Sequence, residues 1–465
     1  MYGSGQKHIY TTPYSWRYGS GDMRGIWSEP NTITGMVSAW LLLLATQQQQ
    51  GMFQGDPKET FRALNFLMKS LEKEDTEWLS SITLRERMCK HRTVAILQEV
   101  KHRLRQEFPE LAENLHIGAT SSDIEDFSTR MQLGMSVVLI LDRIKSLMSA
   151  LIRKSKEYEN ETILGRTHLQ PAMLTTLGFR YGVYLDRLMD VSMIYILTFD
   201  MFLGCDSLGM HGPVGNFGSF EFLAELMGRK NLHPGDFLAD MRPGLTFQTY
   251  DRAWDMRIGF FLADLAQLLH KMSLDFRLMA SYGEIYKPKS VGQISSSSMP
   301  YKTNPIDAEK VCSLTMDLPG RVNALWSICA NQGLERTLND SALRRSTLPE
   351  VFLILDECLS TSAQMVMEYA PTGKEADQLC HTNTLAVLCE RATKEAPSDE
   401  TISNSKGKVY NILANSKLTQ VRDSAFLLIK ILDKKQIDLA NQNQVFEQAF
   451  GSSYSDWDTG EGKTK

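Results

Sequence analysis

Four short polar segments of this chain combine side chains able to carry protons, bind anions, or both. The richest is Ile294 to Pro305, ISSSSMPYKTNP. Proline and four serines keep its backbone out of helix, so consecutive N–H groups can surround an oxygen anion, and Lys302 and Asn304 add a charge and an amide. Met299, Pro300 and Tyr301 are bulky for a simple linker, and a loop that both moves and binds stays open. In Gly165 to Thr176, GRTHLQPAMLTT, His168 stands shortly before Pro171, where a helix is expected to start. Histidine holds and releases a proton near neutral pH, and Thr167 and Gln170 beside it supply hydrogen-bonding partners. A hydrogen-bonded structural histidine is the plainer alternative.

In His116 to Asp123, HIGATSSD, the hydroxyls of Thr120, Ser121 and Ser122 fall just ahead of a helix, where backbone N–H groups and the helix dipole favour an anion. An ordinary N-cap accounts for the same residues. In Leu334 to Arg345, LERTLNDSALRR, Arg336, Ser341 and Arg345 suit bidentate binding of a carboxylate or phosphate. A solvated helix face is the alternative there.

Long apolar stretches separate these islands and must position them. Helical spacing of apolar residues runs from about Ile124 to Lys156, Pro171 to Phe202, Asp255 to Ala280, Ile306 to Gln332 and Leu348 to Glu368. At about 1.5 Å rise per residue these are rods of roughly 30 to 50 Å, well beyond the usual globular helix. Asp255 to Ala280 is apolar around much of its circumference, so it is expected to be buried on several sides. Such helices imply an all-α bundle, and their surplus apolar faces imply that several subunits pack together. A large monomer with wide core stripes is the alternative. No useful period-2 alternation and no internal repeat is evident.

The chain has 465 residues, 43% hydrophobic and 23% charged, with a formal net charge of -5, so nothing pulls the whole molecule onto nucleic acid or an anionic membrane. Its seven cysteines, Cys89, Cys205, Cys312, Cys329, Cys358, Cys380 and Cys389, form no zinc-like cluster and are expected to be reduced and mostly buried. The N-terminal sequence has no apolar core behind a basic start, and the most apolar run, Val37 to Ala45, is about half the roughly 20 residues of a membrane span. A cytoplasmic protein is expected. Gln47 to Gln50 is expected to end a helix, and the last 25 residues to form a disordered tail.

Together the polar segments resemble the fumarase/aspartase superfamily of lyases, from roughly Trp16 to Ala370. Ser295 to Pro305, SSSSMPYKTNP, is similar to the superfamily signature GSSxMPxKxNP, and GRTHLQPAMLTTLG to the loop carrying its general-acid histidine. Gln-Pro-Ala followed by Thr-Thr, with ERTLNDSALRR, points to the adenylosuccinate branch; Arg17 to Met23 and Phe247 to Tyr250 are similar to two further elements of that branch. The resemblance implies an all-helical, three-domain subunit in a homotetramer around a helical core, with each active site assembled from three subunits. The expected division is 1–118, an N-terminal helical domain; 119–370, the long-helix bundle with the catalytic loop; and 371–465, a small C-terminal helical domain. The reaction implied is elimination of fumarate from succinylated purine nucleotides, without metal or organic cofactor. By the resemblance Ser296 is the base and His168 the acid. Thr120, Ser121, Thr167, Lys302 and Asn304, with Gln248 nearby, would bind the succinyl carboxylates; Arg17, Tyr18, Arg336, Ser341 and Arg345 would hold the nucleotide and its phosphate, and His91 would contact substrate.

Three places depart from the pattern. Ser295 stands where the signature opens with glycine, Arg92 stands where an acid usually follows the histidine corresponding to His91, and the region after Pro371 matches weakly. Arg92 and Ser295 motivate a second reading, a lyase for a different succinyl-amine; a third, a structural homologue without chemistry, is disfavoured by the presence of His168, Ser296, Lys302 and Asn304 together.

Overall fold

The structure is a computed structural model that describes residues 10–49, 51–203, 210–226, 245–289, 298–299, 302–373 and 418–448. After a 3-10 turn at Pro13–Ser15, the N-terminal part contains α1 (Gly21–Ile26), α2 (Glu29–Gln49), α3 (Pro57–Cys89), α4 (Arg92–Glu107) and α5 (Pro109–Asn114). The long elements follow: α6 (Ser121–Glu157), the strands β1 (Thr162–Thr167) and β2 (Gln170–Thr176), α7 (Leu177–Leu203), α8 (Gly218–Leu226) and α9 (Ala253–Ser281). The chain continues through β3 (Ile285–Tyr286), α10 (Ile306–Thr315), α11 (Leu318–Ala330), α12 (Ser341–Glu368), β4 (Ala370–Pro371) and α13 (Leu418–Gln448).

Two apolar cores organise these elements. In α2, Ile33, Val37, Trp40, Leu41 and Leu44 recur at helical spacing and are almost fully buried against α3, α4 and the first turns of α6. Helix α3 is capped by Asp56, whose carboxylate accepts the Lys58 N–H at 2.9 Å; it bends at Glu74 and stops at Lys90 in a left-handed conformation. The glutamine run does end α2, and its side chains are used: Gln47 Nε2 donates to the Ile117 carbonyl at 2.9 Å, and Gln48 accepts from Thr60.

The second core belongs to the bundle of α6, α7, α9, α12 and α13. At its centre Phe276 of α9 stacks on Tyr181 of α7 and meets Tyr369 edge-on. Each fully buried leucine along these rods, such as Leu185, Leu269 and Leu359, contributes about 1.5–3 kcal/mol over an exposed one. Among the described residues no helix is long and apolar enough to cross a membrane.

The all-α expectation holds in the bundle, with four local corrections. The stretch from 162 to 176 is an antiparallel hairpin, with Thr167 opposite Gln170 and Arg166 opposite Pro171, so Pro171 lies in a strand and α7 starts only at Leu177. His168 and Leu169 form the two-residue loop, with φ 54° and 61°, the left-handed pair that a tight hairpin needs. The expected single helix 306–332 is two, because Pro319 has no N–H to continue the ladder from α10 and instead sits in the first turn of α11. Helix α12 begins at Ser341 and carries Pro349 inside, which leaves the Arg345 carbonyl without its usual donor four residues on. Helix α13 runs to Gln448, into the stretch expected to be a tail; residues 449–465 lie outside the described ones.

Candidate active site

At one end of the bundle a cavity of about 200 Å³ opens between α2, α4 and α12, lined by Trp27, Glu29, Arg92, Arg336, Ser341 and Arg345 among others. Arg92 is the first residue of α4 and Ser341 the first of α12, so two helix N-termini border the same space. Beneath it lies a buried charge network. Asp340 accepts from Arg252 Nε at 2.9 Å and from Arg336 at 2.7 Å, Asp255 accepts from Arg344 at 2.5 Å, and Arg252 also faces Asp126 at 2.9 Å. Three arginines and three aspartates therefore settle one another. Arg336 is committed to that network.

Arg345 is not. Its side chain is exposed at the cavity and makes no ion pair or hydrogen bond with any described residue. Arg92, the departure from the family pattern, is held by Glu29 and by Glu86 at 3.1 Å; burial first, then the charge of Arg345, lowers its guanidinium below the ordinary value. Two guanidiniums facing one cavity repel each other until an anion enters. His91 caps α4, its Nδ1 accepting the Val94 N–H at 3.4 Å.

The start of α6 joins this end of the bundle. Thr120 is its N-cap, and its N–H donates to Asp123 at 2.8 Å, while the other Asp123 oxygen accepts from the N–H groups of His211 at 2.7 Å and Gly212 at 3.2 Å. Burial pushes the Asp123 carboxyl up to about 6 in spite of these donors. Ser122 donates to Gln248, whose amide donates to the Pro213 carbonyl and whose backbone N–H donates to Glu335 at 3.1 Å. The structure thus brings His91, Thr120, Ser121, Gln248, Arg336, Ser341 and Arg345 to one end.

Other expected site residues stand elsewhere. His168 and Thr167 occupy the exposed tip of the β1–β2 hairpin, which is tied down by Arg166: it pairs with Glu284 at 3.2 Å and lies 4.0 Å over the Tyr282 ring. Lys302 is exposed and Asn304 half-buried just ahead of α10. Asp255 opens α9 and Glu284 lies just past its end; across 29 residues the axis spans roughly 40 Å. The histidine and the arginine pocket therefore sit at opposite ends. Arg17 and Tyr18 come just before Gly19, whose N–H donates to Glu357 of α12 at 3.0 Å. Gly19 has φ 78°, and a Cβ there would fall 2.7 Å from Leu353 Cδ2, so that contact requires glycine. Neither Arg17 nor Tyr18 lines the cavity. Ser296 and Ser295 lie outside the described residues.

Sequence reasoning missed the buried network and the Arg166–Glu284 pair; its one available signal was the Arg344–Arg345 doublet, of which one member turns inward and the other to the cavity.

A family model described as Lyase matches residues 45–195. Adenylosuccinate lyase of Saccharomyces cerevisiae is 31% identical over 368 residues, covering 76% of this chain and 72% of that protein. The Archaeoglobus fulgidus protein of the same name is 32% identical over 372 residues, covering 76% and 75%, and the Pyrococcus horikoshii one 29% identical over 446, covering 92% of each. Among solved structures, 3-carboxy-cis,cis-muconate lactonizing enzyme from Pseudomonas putida superposes with TM-score 0.68 at 18% identity, over 93% of this chain and 100% of that one. A fumarate lyase from a Mesorhizobium species gives 0.64 at 16%, over 95% and 93%. At such identities the solved structures speak for the fold alone. The sequence relatives go further: the chain belongs to the adenylosuccinate lyase family of the fumarase/aspartase superfamily.

Proposed function

We propose that this chain eliminates fumarate from adenylosuccinate, giving AMP, and from the succinylated carboxamide ribotide SAICAR, giving AICAR. The observation that carries the reading is its kinship with adenylosuccinate lyases over three quarters of its length. The arginine cavity fits the same substrates, since a nucleotide brings the phosphate that Arg345 and the N-terminus of α12 are free to take.

In the proposed mechanism Ser296 removes a proton from the carbon next to a succinyl carboxylate. The electron pair forms the double bond of fumarate, the carbon–nitrogen bond breaks, and His168 gives its proton to the departing nitrogen. A serine hydroxyl is a weak base until its alkoxide is stabilised, a task for nearby N–H groups and Lys302. Thr120, Ser121, Thr167, Lys302 and Asn304, with Gln248, take the succinyl carboxylates. Ser341 and Arg345 take the phosphate, with Arg336 held alongside by Asp340; His91, Arg17 and Tyr18 complete the nucleotide contacts.

The assembly belongs to the same reading: a homotetramer whose sites are shared between subunits. Two observations support it. The hairpin with His168 and the cavity with Arg345 stand roughly 40 Å apart in one chain. Helices α7, α9 and α11 also leave large apolar side chains exposed, among them Phe179, Met193, Phe260 and Trp326, and Phe260 and Trp326 flank one open groove with Pro319 and Val322. The division at 118 and 370 is part of the reading too, supported by the separate N-terminal core, although Ile124 and Phe127 of α6 reach into it.

A spectrophotometric assay of purified protein with both succinylated purines tests the function. Fumarate and AMP or AICAR are the expected products; no turnover by an assembled protein would overturn the reading, and turnover of another succinyl-amine alone would replace it.

A further inference from the structure

Just beyond α9, Glu284 and Lys287 stand three residues apart and reach in two directions. Glu284 is buried and splits its carboxylate between Arg166 of the hairpin and Arg180 of α7, each at 3.2 Å. Its own backbone is pinned as well: its N–H donates to Met279 and its carbonyl accepts from Thr372. Lys287 pairs with Asp307 in the first turn of α10 at 2.5 Å and with Glu368 at the end of α12 at 2.7 Å. Between them runs β3, paired with β4 in the register Ile285 to Pro371 and Tyr286 to Ala370. Arg166 is two residues from His168, and Lys287 and Asp307 bracket the sequence that contains the serine signature.

We propose that Glu284 and Lys287 are positioning residues that hold the His168 hairpin in register with both ends of the signature segment. The proposal rests on the roles given above to His168 and Ser296. Neither residue touches substrate. The hairpin tip has two residues at positive φ and no packed side chains of its own, so its aim depends on the stem, and the stem's charged tether is Arg166 to Glu284. Lys287 brings the far end of the signature segment, at Asp307, onto the same short strand. A single rigid strap thereby sets both elements.

The test compares the intact protein with Glu284→Gln and Lys287→Met, and with the conservative Glu284→Asp and Lys287→Arg. A misplacement of about 1 Å costs on the order of 100-fold, so kcat should fall by about ten-fold or more in the neutral variants. KM should change less than kcat, because the nucleotide contacts at the opposite end of the chain, Ser341 and Arg345 among them, are untouched, and the conservative variants should regain most of the rate. Hydrogen exchange gives a readout independent of turnover: either neutral substitution should speed exchange in both 162–176 and 302–307. Wild-type kcat in the neutral variants, a loss matched by the fall in folded or assembled protein, or faster exchange in only one segment would overturn the proposal. Failure of the functional reading looks different, since there the unaltered protein itself would not turn over either succinylated purine.

Discussion

His168 and Arg345 stand at opposite ends of one chain. Arg166, two residues from the histidine, pairs with Glu284 past the end of α9, while Arg344, next to Arg345, pairs with Asp255 near its start. The proposed proton donor and the proposed phosphate seat, separated by roughly 40 Å of helix, cannot serve one substrate molecule within a single chain. Mixing His168→Ala with Arg345→Ala after dissociation, and letting the subunits reassemble, should give, at substrate concentrations well below KM, more turnover than either parent shows. No such gain in verified mixed assemblies would place each site within one subunit.

Ser296→Ala and His168→Ala should each lower kcat by about 100-fold or more, as loss of a base or acid does, while circular dichroism and assembly stay unchanged. Near-normal rates in either variant would remove that residue from its assigned role.

Arg345→Gln should raise KM for adenylosuccinate by about ten-fold or more, the loss of roughly 1.5–3 kcal/mol of charged hydrogen bonding. The dephosphorylated substrate analogue should be almost indifferent to the change. Thermal stability should also hold, because the side chain has no hydrogen-bonding or ionic partner among the described residues. An equal effect on both substrates would argue against a phosphate seat.

Asp340 and Asp123 should respond to acid in opposite senses. Burial disfavours the charge on Asp340, but Arg252 and then Arg336 hold its carboxyl below the ordinary value of 3.8. Its contribution is therefore present above that value and lost as the pH falls further. Asp340→Asn, which removes the buried anion between Arg252 and Arg336 and leaves Arg252 with Asp126 alone, should cost up to about 3–5 kcal/mol at neutral pH by denaturant titration. Asp123 is raised by burial to about 6, above its unfolded value of 3.8, so its contribution is full below 3.8 and disappears as pH rises through 6. Stability gained between pH 6 and 4 should flatten in Asp123→Asn, and an unchanged slope would refute the assignment.

Trp326→Glu and Phe260→Glu place charge in the open apolar groove on α9 and α11. Light scattering should then find smaller species that keep their helical content and lose activity, the expected result of charging a packed subunit face. A full-size active assembly would show that this groove is not an interface.

The helical bundle was legible because its signal is local: apolar residues recur every three or four positions along rods such as 121–157 and 253–281. The polar islands suggested candidate chemistry for a similar reason, since serine, lysine and histidine in helix-free sequence advertise what they can do. The hairpin was not legible. Pro171 after a polar loop reads as the first residue of a helix, and only the pairing of Thr162–Thr167 with Gln170–Thr176 makes it a strand. Nor could sequence separate Arg344 from Arg345. Their neighbours on the chain are shared, but Arg344 meets Asp255 from 89 positions away while Arg345 meets open cavity.

Residue types, then, set which reactions were possible and which segments would be helices, because both follow from covalent chemistry and short-range spacing. Which charges are spent on one another, which remain for a ligand, and which end of a 29-residue rod each group occupies follow from contacts between distant parts of the chain. Those contacts come into being only when the helices pack.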